Sequence, residues 1–306
     1  MITILIAHVQ GMSEVLRVCL ASLARHDAGC PFKALVLTDG VEGGSASEEA
    51  YHAVHDIEWA DWAALDLGTF RSGSDMHGKL LDAAIPLVKT DFILTLDSDC
   101  FPVADGWLAD LMNEYSNDSV LPGIKWPWIP MAEDEEYGEI ERRIRKYHNW
   151  NNTQVACQLV SVPFLKASNL KYASGDDTGF ALLDKVHEMG LKVGGWMPTK
   201  CALPSGDLNP ELNRVACVVF GDKIFHMGGA SRKAQGAEVD SQGFFDEARA
   251  RVLAEKGAEW ILEDGNHHKY RLNEEVGVVR YKMDCMYSQM KRYLEFNSRL
   301  FDVEGT

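Results

Sequence analysis

Short, wholly apolar runs alternate along the chain with stretches whose apolar residues recur every three or four positions. ITILIA, residues 2–7, is a continuous β-branched run, as in a strand buried on both faces. Val15, Leu16, Cys19, Leu20 and Leu23 follow at helical spacing, with Ser13 placed to cap the helix. FKALVLTDG, residues 32–40, predicts a second strand that ends at Asp39 and Gly40. Residues 41–50, VEGGSASEEA, read as a loop that turns acidic, and a third element is expected between Val54 and Leu67. HGKLLDAAIPLVK, residues 77–89, predicts a helix in spite of Pro86, and FILTL the next strand. Strands alternating with helices imply an α/β domain with a mostly parallel sheet flanked by helices. In such sheets ligands bind beyond the carboxyl ends of the strands, where Asp39, Asp97 and Asp99 fall.

Further along, Trp107 to Tyr115 predicts a helix. LPGIKWPWIP, residues 121–130, reads as an extended loop or edge strand, because it carries three prolines and two tryptophans. Residues 133–147 predict a charged, exposed helix, and VACQLVSVPFL, residues 155–165, a strand. SGDDTGFALLDKVHEMGLKVG, residues 174–194, reads as a loop, a helix and a turn at Gly190. KIFHMGG, residues 223–229, is a short strand that ends in His226 and glycines. The expected division is a catalytic domain over 1–235, split into a nucleotide-binding half (1–105) and an acceptor and catalytic half (106–235). A helical C-terminal extension is expected over 236–306.

At 306 residues, 46% hydrophobic and 25% charged, the chain can bury a core without a metal or disulfide staple. A net charge of −16 opposes general binding to polyanions and suits a site that gathers a divalent cation. The seven cysteines show no C-x-x-C pair and read as free thiols of a reducing compartment, so a cytoplasmic location is expected. MITILIAHVQG lacks a basic flank and reads as a first strand, not a signal peptide. No run approaches the ~20 apolar residues that span a bilayer.

The candidate chemistry starts from Asp97-Ser98-Asp99. D-x-D is common by chance in an acidic protein, and a solvated strand end would explain it. Its position after a fully apolar strand favours hard-cation binding, since carboxylate oxygens suit Mg²⁺ or Mn²⁺. An EF-hand is excluded, because Phe101, Pro102 and Val103 supply none of the further loop ligands. Asp176 and Asp177 stand at a helix start, where either alone is explained by capping and by the helix dipole. Their functional reading is a general base. His226 alone is more often structural, but the glycines after it allow close backbone approach. Arg232 or Lys233 follows as a phosphate contact.

These stations, in this order, resemble the GT-A fold nucleotide-sugar glycosyltransferases, closest to the family-two group. ITILIAHVQG matches the family's first strand and nucleotide loop in position, without the usual Thr-Tyr-Asn ending. LTDG is similar to the strand-two acid, here Asp39, and FILTLDSDC to the metal-binding D-x-D. GDDTGFALLDKVHEMGLKV resembles the acid-acid-Thr-Asp helix, with Gly179 where the family has a further acid. KIFHMGG resembles the strand whose His completes the metal shell. The resemblance covers residues 1 to about 230 and implies a Rossmann-like GT-A sheet.

It implies a metal-dependent, inverting transfer of a sugar from a nucleotide-diphosphate sugar to an acceptor hydroxyl. Mn²⁺ or Mg²⁺ would be held by Asp99 with His226 and Asp97. Asp97 would also contact the donor, together with Ser98, Ala7, His8, Gln10, Asp39, Lys79 and Arg232. Asp177, with Asp176 beside it, would deprotonate the acceptor. A saccharide, a lipid-linked sugar or a small molecule is the expected acceptor, with Trp126 and Trp128 as stacking faces. The same chemistry on a hydroxylated DNA base is an alternative, carried by the basic cluster Arg142, Arg143, Arg145 and Lys146 and opposed by the net charge. Nucleotidyl transfer is a second alternative, though HVQGMSE lacks its Gly-rich basic loop. A non-catalytic carbohydrate- or nucleotide-binding module is the third.

Overall fold

The computed structural model describes residues 1–40, 43–68, 73–115, 119–125, 153–173, 178–203, 216–234 and 243–267. Its centre is a seven-stranded sheet in the order β3-β2-β1-β4-β7-β6-β8. The strands are β1 (Ile2–His8), β2 (Phe32–Asp39), β3 (Ala60–Leu65), β4 (Phe92–Asp97), β6 (Ser119–Lys125), β7 (Thr153–Ser161) and β8 (Lys192–Trp196). β3, β2, β1 and β4 run parallel, β7 is antiparallel to both neighbours, and β6 and β8 are again parallel to each other. The expected α/β class with a mostly parallel sheet is what the chain forms.

Helices cover both faces, which explains the unbroken apolar runs. Ile4 and Ile6 of β1 pack with Val15, Leu16 and Cys19 of α1 (Ser13–Arg25). Leu5, between them, points to the opposite face, where Leu80 and Leu81 of α3 (Gly73–Ala84) join Leu37 and Ile93. Each such buried aliphatic side chain contributes about 1.5–3 kcal/mol relative to exposure.

A second, wholly antiparallel sheet has the order β12-β9-β10-β11-β5. It consists of β5 (Cys100–Pro102), β9 (Pro198–Cys201), β10 (Val218–Phe220), β11 (Ile224–His226) and β12 (Asn266–His267). Only Ser98 and Asp99 separate β4 of the large sheet from β5 of the small one. The D-x-D is therefore the hinge between two sheets.

Several local expectations need correction. Ser13 is the first helical residue, and Met12 occupies the cap without a side-chain bond. Residues 45–50, within the stretch 41–50 read as acidic loop, belong to helix α2 (Ser45–Val54), whose buried residues are Ser47, Ala50 and Val54. α3 stops at Ala84, and Pro86 sits in a 3-10 turn, Ile85–Leu87, that the ring's fixed φ suits. β6 is no edge strand, because β7 and β8 flank it. The 155–165 strand ends at Ser161, whose hydroxyl accepts from Phe164 N at 3.2 Å and starts a helix, Val162–Ser168, with Pro163 in its first turn.

Within the expected C-terminal extension, Phe244–Glu255 and Trp260–Asp264 are helical. Phe245, Val252 and Ile261 belong to the same core as α1, and β12 adds a strand to the small sheet. The predicted helix at 133–147, the basic cluster and the chain beyond His267 lie outside the described residues. Among the described residues no helix is long and apolar enough to cross a membrane.

Candidate metal and donor site

β1, β2 and β4 end at one edge of the sheet. Ala7 is paired with Leu37 on one side and Asp97 on the other. Asp39 closes β2 two residues past Leu37, so β1 separates the two acidic strand ends. With neighbouring strands about 4.8 Å apart, β2 and β4 stand about 10 Å from each other across β1. Ser98 is buried, and its N–H donates to the Ala7 carbonyl at 3.2 Å, which extends the ladder into the D-x-D turn.

Backbone pairing then fixes His226 beside Asp99. Cys100 is the register partner of His226, and Met227 N donates to the Asp99 carbonyl at 2.9 Å. His226 Nε2 lies 3.7 Å from Asp99 Oδ1. Asp97, Asp99 and His226 each offer one ligand atom, and these atoms all lie within 4.8 Å of one another. The structure thus brings together the three residues expected to hold the metal.

The electrostatics fit a cation. Asp99 is only 6% exposed and His226 only 7%. Burial pushes the Asp99 carboxyl above its ordinary range; the His226 imidazole pulls it back, Asp97 raises it further and the Ala230 N–H lowers it. His226 Nδ1 is buried without a hydrogen-bond partner among the described residues. The two carboxylates repel each other at this spacing when bare, and a divalent ion offsets that repulsion.

α3 supplies the next layer. His77 Nε2 lies 3.3 Å from Asp97 Oδ1. Lys79, expected at the phosphates, has its Nζ 3.0 Å from the buried carboxylate of Asp75. The Asp82 carboxylate accepts from Tyr172 N at 2.7 Å and from Ala173 N at 3.1 Å. The Thr178 hydroxyl donates to the Ser74 carbonyl at 2.7 Å. Both ends of the segment that contains Asp176 and Asp177 are therefore tied to α3. Those two acids, and Trp126 and Trp128, lie outside the described residues.

Gly78 makes the tie possible. A Cβ built there would come within 2.5 Å of the Ala173 backbone. Gly78→Ala is expected to lower stability by about 1–3 kcal/mol, as overpacked sites do. A urea melt checks it, and an unchanged midpoint would refute the close contact. Gly179, where the resemblance leads one to look for an acid, has φ +78° and would drive a Cβ to 2.5 Å from Val155. The departure has a packing reason, since no side chain fits that turn.

The nucleotide-loop candidates are placed unevenly. Gln10 is exposed and Ala7 half-buried, whereas His8 is buried. His8 Nε2 lies 3.0 Å from Glu49 Oε2, and both Glu49 oxygens accept from Gly11 N at 3.1 Å. Burial pushes the His8 imidazole below its ordinary range, against the pull of Glu49. Arg232 lies in the short helix Ala230–Ala234, which meets this turn: a Cβ on Gly11 would stand 3.7 Å from the Ala234 Cβ. Lys233 is paired with Asp246 at 2.7 Å.

Sequence reasoning missed His77 and Glu49. Helical spacing was the available signal for His77, since Ser74, His77, Gly78 and Leu81 share one face of α3. Glu49 was hidden in the stretch read as loop.

No family model and no curated protein matches the chain. Among solved structures, the bifunctional glycosyltransferase WbbM is 14% identical over 55% of this chain, with a TM-score of 0.39. The chain spans about a third of WbbM, 32% of its length. Galactosyltransferase LgtC, solved with donor and acceptor sugar analogs, is 11% identical over 79% of this chain and 98% of its own, with a TM-score of 0.42. Glucosyl-3-phosphoglycerate synthase from Mycobacterium tuberculosis, solved with Mn²⁺, UDP and phosphoglyceric acid, is 13% identical over 63% of this chain and 67% of its own, also at 0.42. These are distant, partial likenesses, and the site stands on the residues and distances of the chain itself.

Proposed function

We propose that the protein is a metal-dependent glycosyltransferase that moves a sugar from a nucleotide-diphosphate donor to an acceptor hydroxyl with inversion. The convergence of Asp97, Asp99 and His226 at the carboxyl edge of the parallel strands carries this reading. Asp99, His226 and Asp97 would hold Mn²⁺ or Mg²⁺, which when bound neutralises the diphosphate and makes it a better leaving group. Asp39, Ala7, His8 and Gln10 line the nucleoside side, and Ser98, Lys79 and Arg232 the phosphate and sugar side. Asp177, with Asp176 beside it, takes the proton from the attacking hydroxyl as the oxygen closes on the anomeric carbon. Residues 1–105 serve chiefly the nucleotide and 106–235 the acceptor and catalysis, with His226 and Arg232 of that half reaching the metal and the donor, and Trp126 and Trp128 as stacking faces.

One contact weighs against nucleotidyl transfer. That reaction needs a phosphate cradle after β1, and there the Gly11 N–H is already given to the Glu49 carboxylate. A cytoplasmic location is consistent with the six described cysteines, all of them free thiols.

A thermal-shift panel of nucleoside diphosphates, with and without Mn²⁺, tests the reading. One base is expected to raise the melting midpoint only with the metal. A ligand at a hundredfold excess over Kd stabilises by about 2.7 kcal/mol, a shift of several degrees. If no nucleotide raises the midpoint above that of the protein with Mn²⁺ alone, the donor assignment fails.

A further inference from the structure

We propose that His77 is a positioning residue of the Asp97/Asp99/His226 centre: it holds Asp97 Oδ1 and leaves the other carboxylate oxygen for the cation and the diphosphate. The inference rests on the metal reading above.

The three acidic and basic groups of the centre are held to different degrees. Asp99 is buried, faces His226 and accepts from the Ala230 N–H. Asp97 stands at the open edge with 31% of its side chain exposed. An exposed carboxylate samples several rotamers, and a ligand that must be frozen on binding binds a metal less well. Among the described residues, the His77 imidazole is the side chain that reaches Asp97, at 3.3 Å.

The helix that carries the imidazole is in turn fixed. α3 packs on β1 and β2, and at Gly78, the next residue, it touches the Ala173 backbone. His77 Nε2 is shielded from water and makes no aligned hydrogen bond among the described residues. Buried polar atoms in native proteins are almost always partnered. A small rotation of the Asp97 carboxylate closes this bond, with Nε2 carrying the proton. His77 is not itself one of the ligand atoms that converge within 4.8 Å. It acts through Asp97.

Partners of this kind, lost by mutation, cost about 10–100-fold in metal affinity. Mn²⁺ alone is the probe, titrated into the full chain and followed by electron paramagnetic resonance of the free ion. His77→Ala is expected to weaken Mn²⁺ by that 10–100-fold, and His77→Phe, which keeps a ring of similar volume without a nitrogen, by as much. His77→Gln, whose amide nitrogen reaches the same place, is expected to stay within about threefold of the wild type, the scatter usual for one hydrogen bond. Alanine or phenylalanine variants that bind as the wild type does, or a glutamine variant as weak as alanine, overturn the proposal. Asp99→Asn is the parallel control. If it loses Mn²⁺ while His77→Ala does not, only the role of His77 fails; if it binds Mn²⁺ normally, the metal reading itself fails.

Discussion

Asp99→Asn is expected to abolish Mn²⁺ binding and, with it, metal-dependent stabilisation by the nucleotide. Asparagine keeps the shape of the side chain and can still accept from the Ala230 N–H. What it removes is one negative charge at a site 6% exposed, where hydration screens little. Cation sites of carboxylate and imidazole draw most of their affinity from ligand charge, so the loss should exceed about 100-fold, beyond the effect expected at His77. The metal-free variant should behave in the opposite sense. Burial and Asp97 raise the Asp99 carboxyl above its ordinary range, so the folded wild type holds that proton more tightly than the unfolded chain. Its stability then falls as pH rises from the ordinary carboxylate range, and the asparagine variant is spared that fall. At neutral pH without metal the variant should melt no lower than the wild type. In acid, where both states of the wild type are protonated, the advantage disappears. A variant that melts well below the wild type at neutral pH, or binds Mn²⁺ normally, contradicts this account.

How far the sequence revealed this site depends on the range of the contacts that build it. β1, β2 and β4 were legible because strands buried on both faces leave continuous apolar runs, and Asp39 and Asp97 then fall at their ends. α2 was not legible, because its buried face is Ser47, Ala50 and Val54, too polar and too small to show a helical stripe. The inner place of β6 was hidden too, since only pairing with β7 and β8, far along the chain, decides it. His226 was found by its order after Asp99, yet nothing local puts it there. The pairing of Cys100 with His226 does, in a sheet that the sequence reading did not foresee. His77 escaped altogether, because its partner lies on β4 and is met only when α3 docks. The resemblance supplied what pattern alone could not, a reason to read scattered acids as one site. Gly179 marks its limit, for there the chain needs a positive-φ turn and not an acid.

Asp177→Asn is expected to lower the rate of transfer by about 10²–10⁴-fold, the usual worth of general-base help. Asp177 is outside the described residues, but its covalent neighbour Thr178 is tied to Ser74 at 2.7 Å. Ala173, on the other side of the acid pair, is tied to Asp82 at 3.1 Å. The same helix, α3, carries His77, which faces Asp97. One helix therefore touches Asp97 of the candidate site and the described residues on either side of the acid pair, Ala173 and Thr178. Asparagine cannot take up the acceptor's proton, while the donor contacts stay as they were. The effect should fall on kcat, with Mn²⁺-dependent binding of the nucleoside diphosphate unchanged. Asp176→Asn, without the proton-accepting role, should cost less. Turnover is read as release of the nucleoside diphosphate that the thermal-shift panel identifies. An Asp177→Asn variant with normal turnover sinks the assignment of the base. One that loses donor binding along with turnover would place Asp177 at the donor instead.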